Sequence, residues 1–537
     1  MRTAVTNKIA KQFCRYPASE EVVIPWNARY SFPSQANKSV KTTPRIPPKS
    51  GGEFQPGQVI RVEFPAQGYV NPGNTTLEFD VTLVGSGADS NITRFQNNIQ
   101  SIFSRVRLLY GATPLEDMIN YNVIVRSLTE WTATNQHMTM DQTSIAEGIG
   151  GVVPGPDGSD VFGLCNVRQK YIQGVCDTII ASPNALNFTK GNEFGNVPNN
   201  ALRQINGVNG VTRRYQINFA LGLFTQEKLI PTKFMASQLA IELTLEQPAA
   251  CIFQAATGST ILRTPTYQVS NVNLIPEILE FDASYDSMFL AGLRDGGVPI
   301  KFSSWHTFTF SSGTSSSINL LVQERSRSVK ALFAVQRRQQ PDVIYDSGAT
   351  LFDTSSTGAS SLQNYQFRIG GRYFPAAPVQ CSTSVGSAVS NGGAEAYVEL
   401  SKALNIVGDY RLSSNCNTLK WAIQNAAGTL QEFDYSISLR SFLPNGVPTV
   451  QRTELVTNAF CGDMGSQCFA MAIDLETSNG VEISGLNAEE QSDISLIANW
   501  SGGQVTGATN TPSALEVYTY YDAMIVLREN NVLELIQ

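Results

Sequence analysis

The chain has 537 residues, more than one hydrophobic core usually serves, so at least two domains are expected. Only 15% of residues are charged and the net charge is −7, which excludes a general polyanion binder and suits surfaces that pack against neighbours, because burying charge at a contact is costly. No apolar run reaches the length of a membrane-spanning helix or of a secretory signal, so neither is expected.

In chain order, residues 1–56 read as an N-terminal arm. They hold Pro17, Pro25, Pro33, Pro44, Pro47, Pro48 and Pro56 without sustained periodicity, the composition of a segment that is extended or ordered against a partner. Nine basic side chains against Glu20 and Glu21 give residues 1–50 a net charge of +7 and leave −14 for the remainder.

A first body is expected over 57–281. Ile60, Val62 and Phe64 alternate with Arg61 and Glu63. Leu77, Phe79, Val81 and Leu83 alternate with Glu78, Asp80 and Thr82, the period-two mark of half-buried strands. SIFSRVRLLY (101–110) is a third strand, with Phe103, Arg105, Arg107 and Leu109 expected on one face and Ile102, Val106, Leu108 and Tyr110 on the other. Tyr121, Ile124, Leu128 and Trp131 change the spacing to a helical face. A Gly/Pro/Asn-rich stretch at 133–210 predicts a long loop, and loops of that length usually carry function or contacts. From Arg213 to Glu246 two alternating strands flank a lysine-bearing loop: Tyr215, Ile217, Phe219, Leu221 and Leu223 form one apolar face, and Leu239, Ile241, Leu243 and Leu245 the next.

A linker at 282–298 is expected to hold a short helix with Tyr285, Met288, Phe289 and Leu293 on its apolar face, stopped by Gly296 and Gly297. A second body follows over 299–530. It opens with Ile300, Phe302, His306, Phe308 and Phe310 on one strand face, and it has a helix with Tyr397, Leu400, Leu404 and Val407 ended by Gly408. Phe433, Tyr435, Ile437 and Leu439 alternate, and a last strand runs from Leu515 to Leu527. Residues 531–537 read as a tail. The two-strand unit of the first body returns late: Phe469, Met471, Ile473 and Leu475 alternate, then Ile494, Leu496, Ala498 and Trp500. The first residues of its strands are 24 apart in the early copy (215 to 239) and 25 apart in the late one (469 to 494). Many strands and few helices, duplicated, predict an all-β fold of two tandem eight-stranded antiparallel jelly-roll sandwiches, a double jelly roll with a few short helices and long loops.

Four stretches carry a resemblance: FQNNIQSIFSRVRLLYGATPLEDMINYNVIVRSLTEW (95–131), LGLFTQEKLIPTKFMASQLAIELTLE (221–246), FRIGGRYFPAAPV (367–379) and YYDAMIVLRENNVLEL (520–535). In these the chain resembles the double jelly-roll major capsid proteins of double-stranded DNA viruses, above all those of polinton-like viruses and virophages. The resemblance covers about a sixth of the chain. It implies a homotrimer whose six similar sandwiches form a pseudo-hexameric block that tiles an icosahedral virion shell, with the long loops as towers and contacts. It also implies penton and minor capsid proteins as partners.

Candidate contact residues follow from charge and exposure. Arg2, Lys8, Lys11 and Arg15 of the arm are candidates for packaged DNA, an internal membrane or a neighbouring subunit, since basic arms bind phosphate without reading sequence. Arg105 and Arg107 either meet a neighbour's carboxylate or carbonyl, or face solvent with their stems on apolar surface. Tyr285, Met288, Phe289 and Leu293 of the linker are expected to set the angle between the sandwiches, and Asn531–Gln537 to reach neighbours or the shell interior. No catalytic, cofactor or metal site is expected. His137 and His306 are far apart in sequence and form no HExxH, which argues against most zinc enzymes and a Ser-His-Asp triad. His306 reads as a packed structural side chain. Gly85-Ser86-Gly87 reads as a hairpin turn, Asp474 and Glu476 as a solvated strand end, and Glu489, Glu490 and Asp493 as an exposed acidic loop. The eight cysteines contain no CxxC and read as free thiols, with Cys461 and Cys468 the one pair close enough to bridge a turn. The alternative from another class is a tandem β-sandwich that binds or hydrolyses carbohydrate.

Overall fold

A computed structural model describes residues 39–84, 93–95, 99–132, 152–154, 160–162, 212–254, 265–294, 296–311, 316–338, 362–381, 394–405, 440–442, 448–450, 469–476, 484–489, 493–500, 512–529 and 532–537. Arg2, Lys8, Lys11, Arg15, His137, Gly85 to Ser90, Phe433 to Leu439, Cys461 and Cys468 lie outside the described residues, as does most of the predicted 133–210 loop.

In the first half, β1 (Ser39–Thr42), β2 (Val59–Glu63), β3 (Tyr69–Val84), β4 (Phe103–Tyr110), β5 (Thr113–Ile119), β6 (Thr212–Asn218), β7 (Leu239–Leu245) and β8 (Thr266–Phe281) build two sheets, ordered β1-β8-β3-β6 and β2-β7-β4-β5. Every pairing is antiparallel, and four of them nest: β1 with β8, β2 with β7, β3 with β6, β4 with β5. Such nesting is one long hairpin wound over itself into a two-sheet sandwich. The second half has β9 (Val298–Ser311), β10 (Ser317–Val322), β11 (Val329–Arg338), β12 (Leu362–Ile369), β13 (Arg372–Gln380), β14 (Met471–Asp474), β15 (Ile494–Trp500) and β16 (Pro512–Leu527), ordered β9-β16-β11-β14 and β10-β15-β12-β13. Adding eight to each label of the first half gives the second, sheet for sheet. The fold is a double jelly roll.

The duplicated unit is the visible trace of this repeat, and its two strands serve opposite sheets. β6 pairs with β3 while β7 pairs with β2 and β4; β14 pairs with β11 while β15 pairs with β10 and β12. The connection therefore crosses the sandwich. The inward alternation survives, since Tyr215, Ile217, Leu243 and Leu245 are all buried. Leu221 and Leu223 are buried too, but off the strand: β6 ends at Asn218, and Gly222–Thr225 is a short helix, α2.

Three expectations change. The supposed arm contains the first strand. Ser39 to Thr42 pair with Phe281 to Ile278, Ile46 bridges Leu274, and Glu53 and Phe54 pair with Ser270 and Val269. The strand is four residues long and exposed throughout, and Pro44, Pro47 and Pro48 follow it directly, so it carries no apolar alternation. The supposed tail is also a strand: Leu533–Ile536 (β17) pairs with Leu527 to Met524 of the same chain. Finally, Phe103 leaves the Arg105 face. A register shift between Thr244 and Leu245 places Phe103 opposite Leu245, and its ring meets Phe79 edge-on at 5.6 Å inside the core. The helices are α1 at Tyr121–Thr132, α3 at Ala283–Arg294 and α4 at Ala394–Ala403; α4 stops before Leu404, with Asn405 at φ 57°, and not at the expected Gly408, which with Val407 lies outside the described residues.

Candidate assembly surfaces

Arg105 and Arg107 project from β4 beside buried Val106 and Leu108. Both acids they meet belong to this chain. Arg105 Nε donates to Asp117 Oδ1 at 2.7 Å, and Arg107 pairs with Glu242. The register explains the second pair: Arg61, Glu242, Arg107 and Asp117 stand opposite one another on β2, β7, β4 and β5, a cross-strand row of alternating sign. Arg61 closes the row on Glu242 at 2.9 Å. In the second half, the row Asn319, Ile497 and Gln366 carries no charge, and the row Leu321, Ser495, Arg368 and Tyr373 carries one.

The face of the other first-half sheet is also ionic. Lys41 binds Glu277 at 2.5 Å, Arg45 binds Glu78 at 2.8 Å, and Arg214 binds Asp80 through Nε at 2.7 Å. The Arg214 hydrogen bonds hold Asp80 below the usual carboxylate range, against the opposing effect of burial. The Lys41 bond does the same for Glu277.

Helix α3 docks on the first half. Tyr69 is its anchor, ringed by Phe281, Tyr285 and Phe289 with centroids 5.2, 5.5 and 5.6 Å away in edge-to-face geometry. Phe289 also stacks on Phe234 at 5.1 Å. Burial, then Asp286, pushes the Tyr69 phenol well up, and Asp286 also takes Lys233. Leu293 is buried, whereas Met288 is 63% exposed and touches none of this cluster. The helix thus holds on by its aromatic side and leaves Met288 outward.

The two halves meet along β5 and β9. Glu116, wholly buried on β5, accepts from the backbone N–H of Gly222 at 2.7 Å and of Leu223 at 2.8 Å, and from Ser304 Oγ of β9 at 2.6 Å. Burial pushes its carboxyl up, and these three donors offset part of that. Thr307 Oγ1 donates to the Ile119 carbonyl at 3.0 Å, and Asn120 Nδ2 to Glu516 Oε1 at 2.7 Å. Trp131, at the end of α1, stacks on Phe333 of β11 at 5.3 Å and 18°. At Gly222 the halves come too close for a side chain: a Cβ there would lie 1.9 Å from the Ser303 carbonyl oxygen. Sequence reasoning missed Glu116, Ser304 and Glu516, because a buried acid looks like a solvated one until its donors are placed. Gly222 was the one visible signal, a glycine inside an apolar run.

Beside the junction lies a cavity of about 410 Å³ lined by Asp117 and Ile119 from the first half and by His306 and Glu324 from the second. Burial alone would raise Glu324, but His306 Nδ1 at 3.1 Å, Ser326 Oγ at 2.6 Å and Thr519 hold it down to about 2. His306 stacks on Tyr521 at 4.1 Å, so it is a packed side chain with an acid partner. Glu476 is no solvated strand end: it takes Lys330 Nζ at 3.0 Å, Ser484 Oγ at 2.8 Å and Asn405 Nδ2 at 2.9 Å, with a lysine where a cation would sit. Glu489 is exposed and pairs with Arg327 at 2.8 Å. Cys251 and Cys381 are buried free thiols.

No family model and no curated protein matches the chain. Among solved structures, the Sputnik virophage particle contains a chain with a TM-score of 0.51 and 10% identity, over 96% of this chain and 92% of that one. This fold is the one seen in viral major capsid proteins. The capsid protein VP54 of PBCV-1, fitted into a reconstruction of Sputnik, has a TM-score of 0.49 and 11% identity over 95% and 99% of the two chains. The mavirus major capsid protein has 0.45 and 9% over 96% and 91%. At such identities the double jelly roll is what is shared.

Proposed function

We propose that this protein is a viral major capsid protein, a structural subunit with a geometric rather than catalytic role, assembled into a virion shell. The observation that carries the reading is the sheet-for-sheet repeat within one chain, a fold shared over nearly the full length with a chain of a virophage particle. Two similar sandwiches per chain let three chains form a block with six similar outer faces, which packs on a near-hexagonal lattice. The halves would run from residue 39 to 281 and from 298 to 536, joined by α3. Minor and penton proteins would fill the remaining lattice positions. The basic residues Arg2, Lys8, Lys11 and Arg15 would face packaged DNA, a membrane or a neighbouring subunit, and Met288 a neighbouring subunit.

The test is mass in solution. Three copies of the 58.4 kDa chain give a particle of about 175 kDa, and electron microscopy of the purified protein should show blocks of hexagonal outline or closed shells. A stable monomer that binds glycan would overturn the reading.

A further inference from the structure

The ion pair at Lys330 has an asparagine on its far side. Lys330 Nζ lies 3.0 Å from Glu476 Oε1, and Asn405 Nδ2 donates to Glu476 Oε2 at 2.9 Å. One carboxylate thus holds an amine on one oxygen and a primary amide on the other. The three residues come from separate elements: Lys330 from β11, Glu476 from just past β14, and Asn405 from just past α4. Glu476 keeps 5% of its side chain exposed and Lys330 18%, and the Tyr520 ring lies 5.3 Å from Nζ. In the first half, Lys41 and Asn71 share Glu277 in the same way, but Lys41 keeps 57% of its side chain exposed, so its amine stays solvated.

A lysine amine, an asparagine amide and a shielded acid between them are the full set of groups that an isopeptide bond needs. We propose that Lys330 Nζ and Asn405 Cγ become joined by such a bond, with Glu476 as the proton carrier. The inference concerns the second half alone and does not rest on the capsid reading.

The pair starts ionised. Burial works against the Lys330 ammonium, but Tyr520, Glu476 and Asp522 outweigh it; burial likewise works against the Glu476 carboxylate, but Asn405, Ser484 and Lys330 hold it below the usual range. A proton therefore passes first from Nζ to Oε1. The freed Nζ lone pair attacks Asn405 Cγ, while the protonated carboxyl donates to the amide oxygen, which a half-turn of the amide presents to it. The Cγ–Nδ2 bond then breaks, Nζ gives up a second proton through Glu476, and ammonium leaves by the exposed side of Asn405. An ammonium and a primary amide become a secondary amide and an ammonium ion, Glu476 ends as it began, and nothing is oxidised or reduced. The product is a covalent loop from residue 330 to residue 405 that fastens the end of α4 to an inner strand of its sheet, and closing such a loop constrains the unfolded chain.

The test is the mass of the intact, denatured chain followed by a tryptic map. The chain should weigh about 17 Da less than its sequence, one ammonia. Trypsin should fail to cut after Lys330, and a single fragment should contain both the peptide around Lys330 and the peptide around Asn405. Glu476→Gln and Lys330→Arg should each restore the mass expected from sequence, and the map of the natural chain decides the matter where a variant fails to fold. A natural chain of full sequence mass overturns the proposal. So does a loss of about 17 Da with the two peptides separate, because an asparagine that closes to a succinimide sheds ammonia without joining anything. A joined fragment that persists in Glu476→Gln overturns the part given to Glu476.

Discussion

The two halves share one topology and differ in what their outer surfaces carry. The first half covers its sheets with paired charges: Arg61, Glu242, Arg107 and Asp117 on one, and Lys41, Arg45 and Arg214 with their acids on the other. The second half buries Phe333 against Trp131 of the first and against its own Trp305, and its other sheet carries Asn319, Ile497, Gln366 and Leu321. A duplicated fold has kept its interior rule and let its exteriors diverge, because an interior needs only apolar side chains of suitable size, whereas an outer face answers to whatever lies against it.

Removing the aromatic cover is the strongest way to break that contrast. Trp131→Ala empties a fully buried site against Phe333 and should cost about 4 kcal/mol, read as a lower denaturation midpoint. A loss below about 1 kcal/mol would mean that the halves are held by their polar contacts instead.

Acid should act next, through Glu324. Its folded-state value near 2 lies below the ordinary carboxylate value, so its stabilising contribution is complete above about pH 4.5 and is lost as pH falls towards 2. About 3 kcal/mol should disappear over that window, and Glu324→Gln should flatten the profile. Glu116 has the opposite sign: its raised value means that protonation relieves a buried charge, so acidification through its folded value favours the folded state. Denaturation curves at several pH values in Glu324→Gln and in Glu116→Gln separate these effects.

The smallest effect belongs to the charge row. Arg107→Ala should cost no more than about 1 kcal/mol, less at high salt, since the guanidinium is partly exposed. A larger loss would make the row a structural element of the first half and sharpen its difference from the second.

Much of this was readable beforehand, for physical reasons. Leu77, Phe79, Val81 and Leu83 alternate because one face of β3 is apolar core while the other carries Glu78 and Asp80 in ion pairs, and the spacing of Tyr121, Ile124, Leu128 and Trp131 predicts a helix with one apolar side. The tandem repeat showed in the two copies of the crossing unit. What could not be read was decided by contacts remote in sequence. Phe103 turns inward because a bulge opposite Leu245 resets the count, and the acids of Arg105 and Arg107 are supplied by strands 12 and 135 residues away. Glu116 became a junction residue only when Gly222 and Ser304, 106 and 188 residues on, came to it.

The prolines after the first strand have one more consequence. An uncovered sheet margin with an unbroken line of N–H donors invites a foreign strand to add on, and then another, without end. Just past β1, Ile46 turns both its N–H and its C=O inward to Leu274, and Pro47 next to it lacks the donor that would face outward, so a foreign strand finds that margin broken and crowded chains are steered towards association through side chains, whose geometry can be made to stop.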